Sequence, residues 1–307
     1  MTKTKEWSTD QIEDQSGKVV IVTGGNAGMG FQMVKALALK HAHVIIASRS
    51  EEKGLAAVAE IRKLMPDAKV DFMKVDLSSF KSIKEFVSAY QEKKLPLHLL
   101  INNAGVADTP HSKTVDGYEV TIGVNHLGPF LLTVLLLDTL KKSAPARVVT
   151  LSSISAGDVK ELHLDDFTAF AKSDITNYDT YGVSKMYNLL FSVHLDKVLE
   201  GTGVHSFSVH PGFVKTDMMG KMETSMSSIM KRILVKFLGQ SPEMGATSAL
   251  YCGTTAEVIE KGANYMYGSN KYLQGNTIPN ELSGISPLIT QENMEKLWDK
   301  TKAEVGV

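Results

Sequence analysis

The sequence predicts an α/β fold, with one doubly wound parallel sheet carrying helices on both faces. Two observations carry that prediction. Short runs of β-branched residues alternate along the chain with segments of helical apolar spacing, an order that yields right-handed crossovers and parallel strands. A glycine-rich turn also joins the first such run, Val19-Val20-Ile21-Val22-Thr23, to the first helical segment, Phe31–Leu39, through Gly24-Gly25-Asn26-Ala27-Gly28-Met29-Gly30. Four consecutive β-branched residues read as a strand buried on both faces.

The remaining elements follow in order. His43–Arg49 reads as a second buried strand, and Ser50 can cap a helix that runs to Met65 before Pro66. Val70–Val75 is a third strand, closing at Asp76-Leu77, and Lys81–Lys94 is a charged amphipathic helix. Leu97–Ile101 is a fourth strand that runs into Asn102-Asn103-Ala104-Gly105. A long apolar helix covers Gly117–Leu140 and contains Asn125. Arg147–Leu151 is a fifth strand ending at Ser152-Ser153, and a later helix carries Tyr181 and Lys185. Val204–Val209 is a sixth strand ending in His210-Pro211-Gly212. Pro242–Cys252 reads as helix, Ala263–Tyr267 as a last strand and Gln291–Lys302 as a C-terminal helix.

Composition narrows the function. The 307 residues favour one large domain, 18–307, preceded by an N-terminal arm, 1–17, that Trp7 tacks onto the body. A net charge of -1 with both signs dispersed argues against a nucleic-acid partner. The single cysteine, Cys252, forbids an internal disulfide, which fits a reducing, cytoplasmic setting. Met1–Asp14 lacks an apolar signal core, and the apolar stretch Phe130–Leu137 is too short to span a bilayer. No zinc-ligand spacing and no Gly-x-Ser-x-Gly elbow is present, so no metal is expected.

The polar residues collect at strand ends, where open parallel sheets bind ligands. The glycine turn offers a helix N-terminus to a pyrophosphate: Gly24 and Gly28 admit close backbone approach, and Gly30 lets helix and strand pack closely. At the end of the second strand, where a carboxylate would hold the ribose 2′-OH of NAD, Ser48 and Arg49 stand instead. The planar guanidinium suits a 2′-phosphate, so NADP(H) is expected over NAD(H). Tyr181 and Lys185, at i and i+4, share one helix face. A lysine cation beside a phenol favours tyrosinate and lowers its pKa from about 10. Such a tyrosine can give a proton to a carbonyl oxygen or take one from an alcohol. Tyr90/Lys94 and Tyr267/Lys271 have the same spacing, but only Tyr181 follows the Ser152-Ser153 strand end and opens an apolar helix. Ser153, or alternatively Ser152, could donate a hydrogen bond to the substrate oxygen. Asn125 sits inside an apolar helix and needs partners there.

Together these motifs resemble the short-chain dehydrogenase/reductase family, and within it the retinol-dehydrogenase-like branch. The match runs from about Gly17 to the C-terminal helix. It rests on Thr23-Gly24-x-x-x-Gly28-x-Gly30, Asp76, Asn102-Asn103-Ala104-Gly105, Asn125, Ser153, Tyr181-x-x-x-Lys185 and Pro211-Gly212-x-x-x-Thr216. Leu162–Phe167 and Leu297-Trp298 resemble the branch. The resemblance implies a Rossmann-type, three-layer αβα domain with about seven strands. It implies Tyr181 as acid/base, Ser153 polarising the carbonyl, Lys185 holding the nicotinamide ribose and tuning Tyr181, and Asn125 extending a proton relay. The cofactor-binding set it implies is Gly24, Asn26, Gly28, Met29, Gly30, Ser48, Arg49, Asp76, Leu77, Asn103, Ala104, Gly105, Tyr181, Lys185, Pro211, Gly212, Val214 and Thr216.

Two departures stand out. Residues 154–180 separate Ser153 from Tyr181, an insertion relative to compact members. It is expected to cover the helices through which many members dimerise and so to favour a monomer over a homodimer. Segment 216–240 carries Met218, Met219, Met222, Met226 and Met230 ahead of a basic amphipathic stripe. It reads as a lid over a lipophilic substrate, with core cover or peripheral membrane contact as alternatives. The expected activity is interconversion of a ketone or aldehyde with an alcohol on a retinoid, steroid, lipid or polyketide type of substrate. The alternative is a non-catalytic nucleotide-sensing or scaffolding protein on the same fold.

Overall fold

The computed structural model describes residues 7–107, 112–168, 170, 177–214, 239–261, 265–268 and 278–307. Thr216 and nearly all of the methionine-rich segment lie outside the described residues.

Strands β1 (Val19–Thr23), β2 (His43–Ser48), β3 (Val70–Lys74), β4 (Leu99–Asn102), β5 (Ala146–Leu151), β6 (Val204–His210), β7 (Tyr265–Gly268) and β8 (Ile278–Glu281) form one sheet in the order β3-β2-β1-β4-β5-β6-β7-β8. The first seven are parallel, and β8 closes the edge antiparallel to β7. The expected seven-stranded sheet is therefore present, with a hairpin partner added. The order reverses between β1 and β4, so the strand ends splay there and open a crevice. All five residues of β1 are buried, as a strand covered on both faces requires.

Helices α1 (Gly28–Ala38), α2 (Glu51–Leu64) and α6 (Pro242–Thr254) cover one face, where Met33, Leu37, Ile46, Ile101, Phe207 and Leu250 pack together. Trp7 packs edge-on against Tyr251, ring centroids 5.6 Å apart, which fastens the N-terminal arm. Helices α3 (Phe80–Glu92), α4 (Val120–Lys142), α5 (Asn177–Val198) and α8 (Gln291–Val305) cover the other face. The short α7 (Glu257–Lys261) follows α6.

Helix α4 contains a π turn at Gly123–Leu127. Its 23 residues are long and apolar enough to cross a membrane, longer than the Phe130–Leu137 run suggests. Yet 72% of its apolar window is buried within the protein, and it packs as a central helix of the fold. The described part of the 154–180 insertion lies against α5: Phe167 and Phe170 are buried, with ring centroids 5.3 and 6.4 Å from Tyr187. From the other side Trp298 of α8 packs against Phe130 of α4 at 5.0 Å and Phe191 of α5 at 6.1 Å.

Candidate active site

The crevice is built from strand ends that are tied to one another. Gly24 has φ +66, in the left-handed region that glycine adopts without strain. A Cβ there would lie 3.1 Å from Asn103 Nδ2 and 3.2 Å from Ala104, so the glycine turn rests directly on the end of β4. Thr23 makes the joint. Its hydroxyl accepts from the backbone N–H groups of Asn103 and Ala104, both at 3.0 Å, and Asn103 Nδ2 donates to Thr23 O at 2.8 Å. A Cβ on Gly30 would run into Gly24 O, so α1 starts flush against the turn. Asn102 faces away and donates to Thr133 Oγ1 of α4 at 2.9 Å.

The start of α1 differs from the starts of its neighbours. Ser50, Ser79, Ser241 and Thr290 each accept a backbone N–H in the first turn of α2, α3, α6 and α8. Helix α1 begins after Ala27, whose side chain cannot accept, so no side chain caps its first turn. A recess of about 380 Å³ opens beside it, lined by Asn26, Gly28, Phe31, Gln32, Lys53 and Glu60 among others. Ser48 ends β2 with a buried hydroxyl that has no hydrogen-bond partner among the described residues, and Arg49 is exposed beside it. At the end of β3, the Asp76 carboxylate accepts from Ser78 N at 3.0 Å and Ser78 Oγ at 2.6 Å, while Leu77 is buried.

On the far side of the crevice, Lys185 is buried and its Nζ donates to Leu151 O at 3.1 Å. Burial pulls its pKa down from 10.5 to about 8. Nζ lies 5.6 Å from the centroid of the Tyr181 ring, one helical turn away, and the Tyr181 side chain is half-buried. A Cβ on Gly105 would lie 3.5 Å from Lys185 Nζ and 3.2 Å from Asn125 Oδ1. The Tyr181/Lys185 pair therefore adjoins the same β4 end on which the glycine turn rests.

Asn125 stands in the π turn of α4, fully buried. Its Oδ1 accepts from Val106 N at 2.8 Å, and its Nδ2 donates to Val106 O at 2.9 Å and to Ser184 Oγ at 3.0 Å. Ser184 passes this on to Tyr181 O at 2.7 Å. The amide thus pins the β4 exit loop to the helix that carries the pair. The two serines after β5 divide the work. Ser152 Oγ donates to Lys185 O at 2.7 Å and is committed to α5. Among the described residues Ser153 Oγ bonds within its own turn, donating to Ser155 Oγ at 3.2 Å and accepting from Ser155 N at 3.2 Å. Beyond β6, Gly212 has φ +79, and Val214 is buried. A Cβ on Gly245 of α6 would lie 2.5 Å from Val214 Cγ2 and 2.7 Å from Met29 Sδ, so Met29, Val214 and α6 meet there. Among the described residues no cluster could hold a metal ion.

Lys53, Ser184 and Gly245 were not singled out from the sequence. Lys53 stands four residues after Arg49, a spacing that could have flagged it. Ser184 and Gly245 carry no such signal.

A family profile described as short chain dehydrogenase matches residues 18–227. The chain belongs to the short-chain dehydrogenase family. Relatives place this dehydrogenase in the retinol-dehydrogenase-like branch. Polyprenol dehydrogenase of Homo sapiens is 38% identical over 296 residues, 94% of this chain and 86% of that protein. Retinol dehydrogenase 12 of Bos taurus is 42% identical over 292 residues, 95% of this chain and 87% of that protein. An uncharacterized Mycobacterium paratuberculosis protein has a solved structure with TM-score 0.79 and 26% identity, covering 99% of this chain and 98% of that one. The RhlG/NADP active-site complex from Pseudomonas aeruginosa, at TM-score 0.62 and 24% identity over 79% and 91% of the two chains, shares the fold of this dehydrogenase. The chain is thus an oxidoreductase of a family that uses a nicotinamide dinucleotide.

Proposed function

We propose that this chain is an NADP(H)-dependent oxidoreductase that interconverts a lipophilic ketone or aldehyde with its alcohol. The observation that carries the reading is the adjacency of the Tyr181/Lys185 pair to the β4 end that also supports the glycine turn. The residues fit a dinucleotide: α1 lacks a side-chain cap, the cradle at Gly24 and Gly30 leaves no room for a Cβ, and Ser48 keeps a buried hydroxyl unpaired among the described residues. Gly24, Asn26, Gly28, Met29 and Gly30 would hold the pyrophosphate, with Asp76, Leu77, Asn103, Ala104 and Gly105 along the adenosine and ribose. Pro211, Gly212, Val214 and Thr216 would receive the nicotinamide end. Ser48 and Arg49 would take the 2′-phosphate, because neither residue at that strand end is a carboxylate.

When bound, the cofactor supplies or accepts the hydride. The chain does the rest. In the reductive direction the Tyr181 hydroxyl gives its proton to the substrate oxygen as negative charge develops there. Ser153 Oγ donates a hydrogen bond to the same oxygen. The Lys185 ammonium, held at Leu151 O, stabilises the tyrosinate left behind. Asn125 holds Lys185's surroundings in register and links the pair to the β4 loop, from which a proton relay can be refilled. In oxidation the same groups run in reverse.

The names of the retinol and polyprenol dehydrogenases support an apolar substrate, and the methionine-rich 216–240 segment suits a lid over one. The insertion and α8 cover α4 and α5, which supports a monomer. A cytoplasmic setting belongs to the same reading, since a single cysteine requires no oxidising compartment, and liposome co-sedimentation tests for peripheral membrane contact. The deciding experiment is NADPH oxidation over a panel of apolar carbonyls with wild type and Tyr181→Phe. Turnover lost in the variant upholds the reading. Tight NADPH binding without turnover on any carbonyl favours a non-catalytic sensor.

A further inference from the structure

The exit from β6 is held by a residue outside the family's motifs. Gln240 is 9% exposed and lies across the start of the loop Pro211–Val214. Its Nε2 donates to Pro211 O, its backbone N–H donates to Phe213 O at 2.8 Å, and it forms an isolated parallel bridge with Val214. Any side chain at Gly212 would run into the Gln240 amide. The orientation of that amide is fixed by chemistry. Pro211 O can only accept, so Nε2 must face it, and Oε1 points the other way. There Oε1 is buried, with no partner among the described residues. Keeping an unsatisfied acceptor inside the protein is unfavourable, and an apolar side chain of equal length would avoid it. What glutamine alone adds is the donor aimed at Pro211 O.

We propose that Gln240 is a positioning residue: it fixes the Pro211–Val214 loop in the shape that receives the nicotinamide end of the cofactor. This rests on the cofactor site proposed above. Two features make the loop's shape matter. Val214 meets Met29 of the glycine turn at Gly245, so a shift of the loop is felt across the crevice. The backbone bridge between Val214 and Gln240 also ties the end of the loop to the chain just before α6.

The inference predicts opposite responses of stability and binding. Gln240→Met removes the donor and also the unpaired Oε1. Gln240→Glu keeps the shape but sets a carboxylate against Pro211 O. The test is calorimetric titration of wild type and both variants with NADP⁺ and with 2′,5′-ADP, which carries the adenosine end alone, beside thermal unfolding without ligand. For Gln240→Met the NADP⁺ Kd weakens about tenfold or more, while the 2′,5′-ADP Kd stays within about twofold and the unfolding midpoint does not fall. Gln240→Glu weakens NADP⁺ further, again sparing 2′,5′-ADP. An unchanged NADP⁺ Kd in Gln240→Met overturns the proposal, and so does equal weakening of both ligands. Should wild type bind NAD⁺ and not NADP⁺, the same comparison runs with NAD⁺ and 5′-AMP. Wild type binding neither dinucleotide overturns the cofactor reading and this inference with it, and is recognised without any variant.

Discussion

Helices α3 and α5 carry the same short pattern, a tyrosine with a lysine four residues later, and the fold turns the two to opposite ends. On α3, Tyr90 is completely buried; its hydroxyl donates to Pro96 O at 2.8 Å, and burial pushes its pKa well up. Lys94 falls beyond the helix end, at φ +52, exposed to solvent. On α5, Tyr181 is half-buried and Lys185 is the buried partner, its Nζ 5.6 Å from the ring. Spacing alone does not bring a phenol and an ammonium together. The helix must continue through the lysine, and the ammonium must be drawn inward.

Substitutions sharpen that contrast, beginning with the largest effect. Tyr181→Phe is expected to lower kcat by about 10²–10⁴-fold with the protein still folded and cofactor still bound, read by steady-state carbonyl reduction. Ser153→Ala is expected to cost about 10²–10³-fold in kcat, because a donor to the developing oxyanion is lost. Ser152→Ala instead loses the bond to Lys185 O, and its effect should show in thermal unfolding before it shows in kcat. Arg49→Ala is expected to raise the KM for NADPH by about 10–100-fold and to leave that for NADH nearly unchanged, the magnitude of one charge-assisted hydrogen bond.

Buried bases provide a pH test. Burial lowers His126 to about 3 and His210 to about 4, from 6.5. Both stay neutral in the folded protein at pH values where the unfolded chain takes up protons. Their stability contribution is therefore complete above about pH 6.5 and is lost as pH falls toward 4 and then 3. Urea midpoints measured across that range should fall with pH, and His126→Phe should flatten the lower part of the curve. The smallest effect is expected of Tyr90→Phe: unchanged kcat and a loss of about 1 kcal/mol of stability from the bond to Pro96 O.

Much of this architecture was legible in the sequence because it repeats. Buried β-branched runs give β1 and β2 their positions nearly to the residue, and Ser50 marks the start of α2. The glycine turn, the Asn103 loop and the Tyr181/Lys185 pair lie at strand ends or on one helix face, where a linear pattern maps directly onto geometry. The edge strand β8 escaped notice because Ile-Pro-Asn-Glu neither alternates nor resembles a β-branched run; proline is tolerated there because an edge strand need not donate on its outer side. The π turn has no compositional mark. The sequence favours Ser153 over Ser152 as the donor, but it carries no sign that α5 engages Ser152. Gln240 was hidden for the same reason: its partner, Pro211, lies 29 positions away.

The π turn in α4 also divides the labour of two consecutive side chains. Asn125 serves the crevice, while His126 lies among Phe130, Phe167, Tyr187 and Phe191 and reaches Thr301 of α8 at 3.0 Å. A π turn accommodates one residue more than a regular turn, so it absorbs that residue while the helix before it and the helix after it stay in phase. Removing a single residue from Gly123–Leu127 would close the turn to regular winding with both flanks still in register. The change would be local: the turn could no longer present the amide to the crevice and the imidazole to the aromatic nest from consecutive positions. A one-codon deletion at this point should thus keep the fold and displace Asn125 or His126.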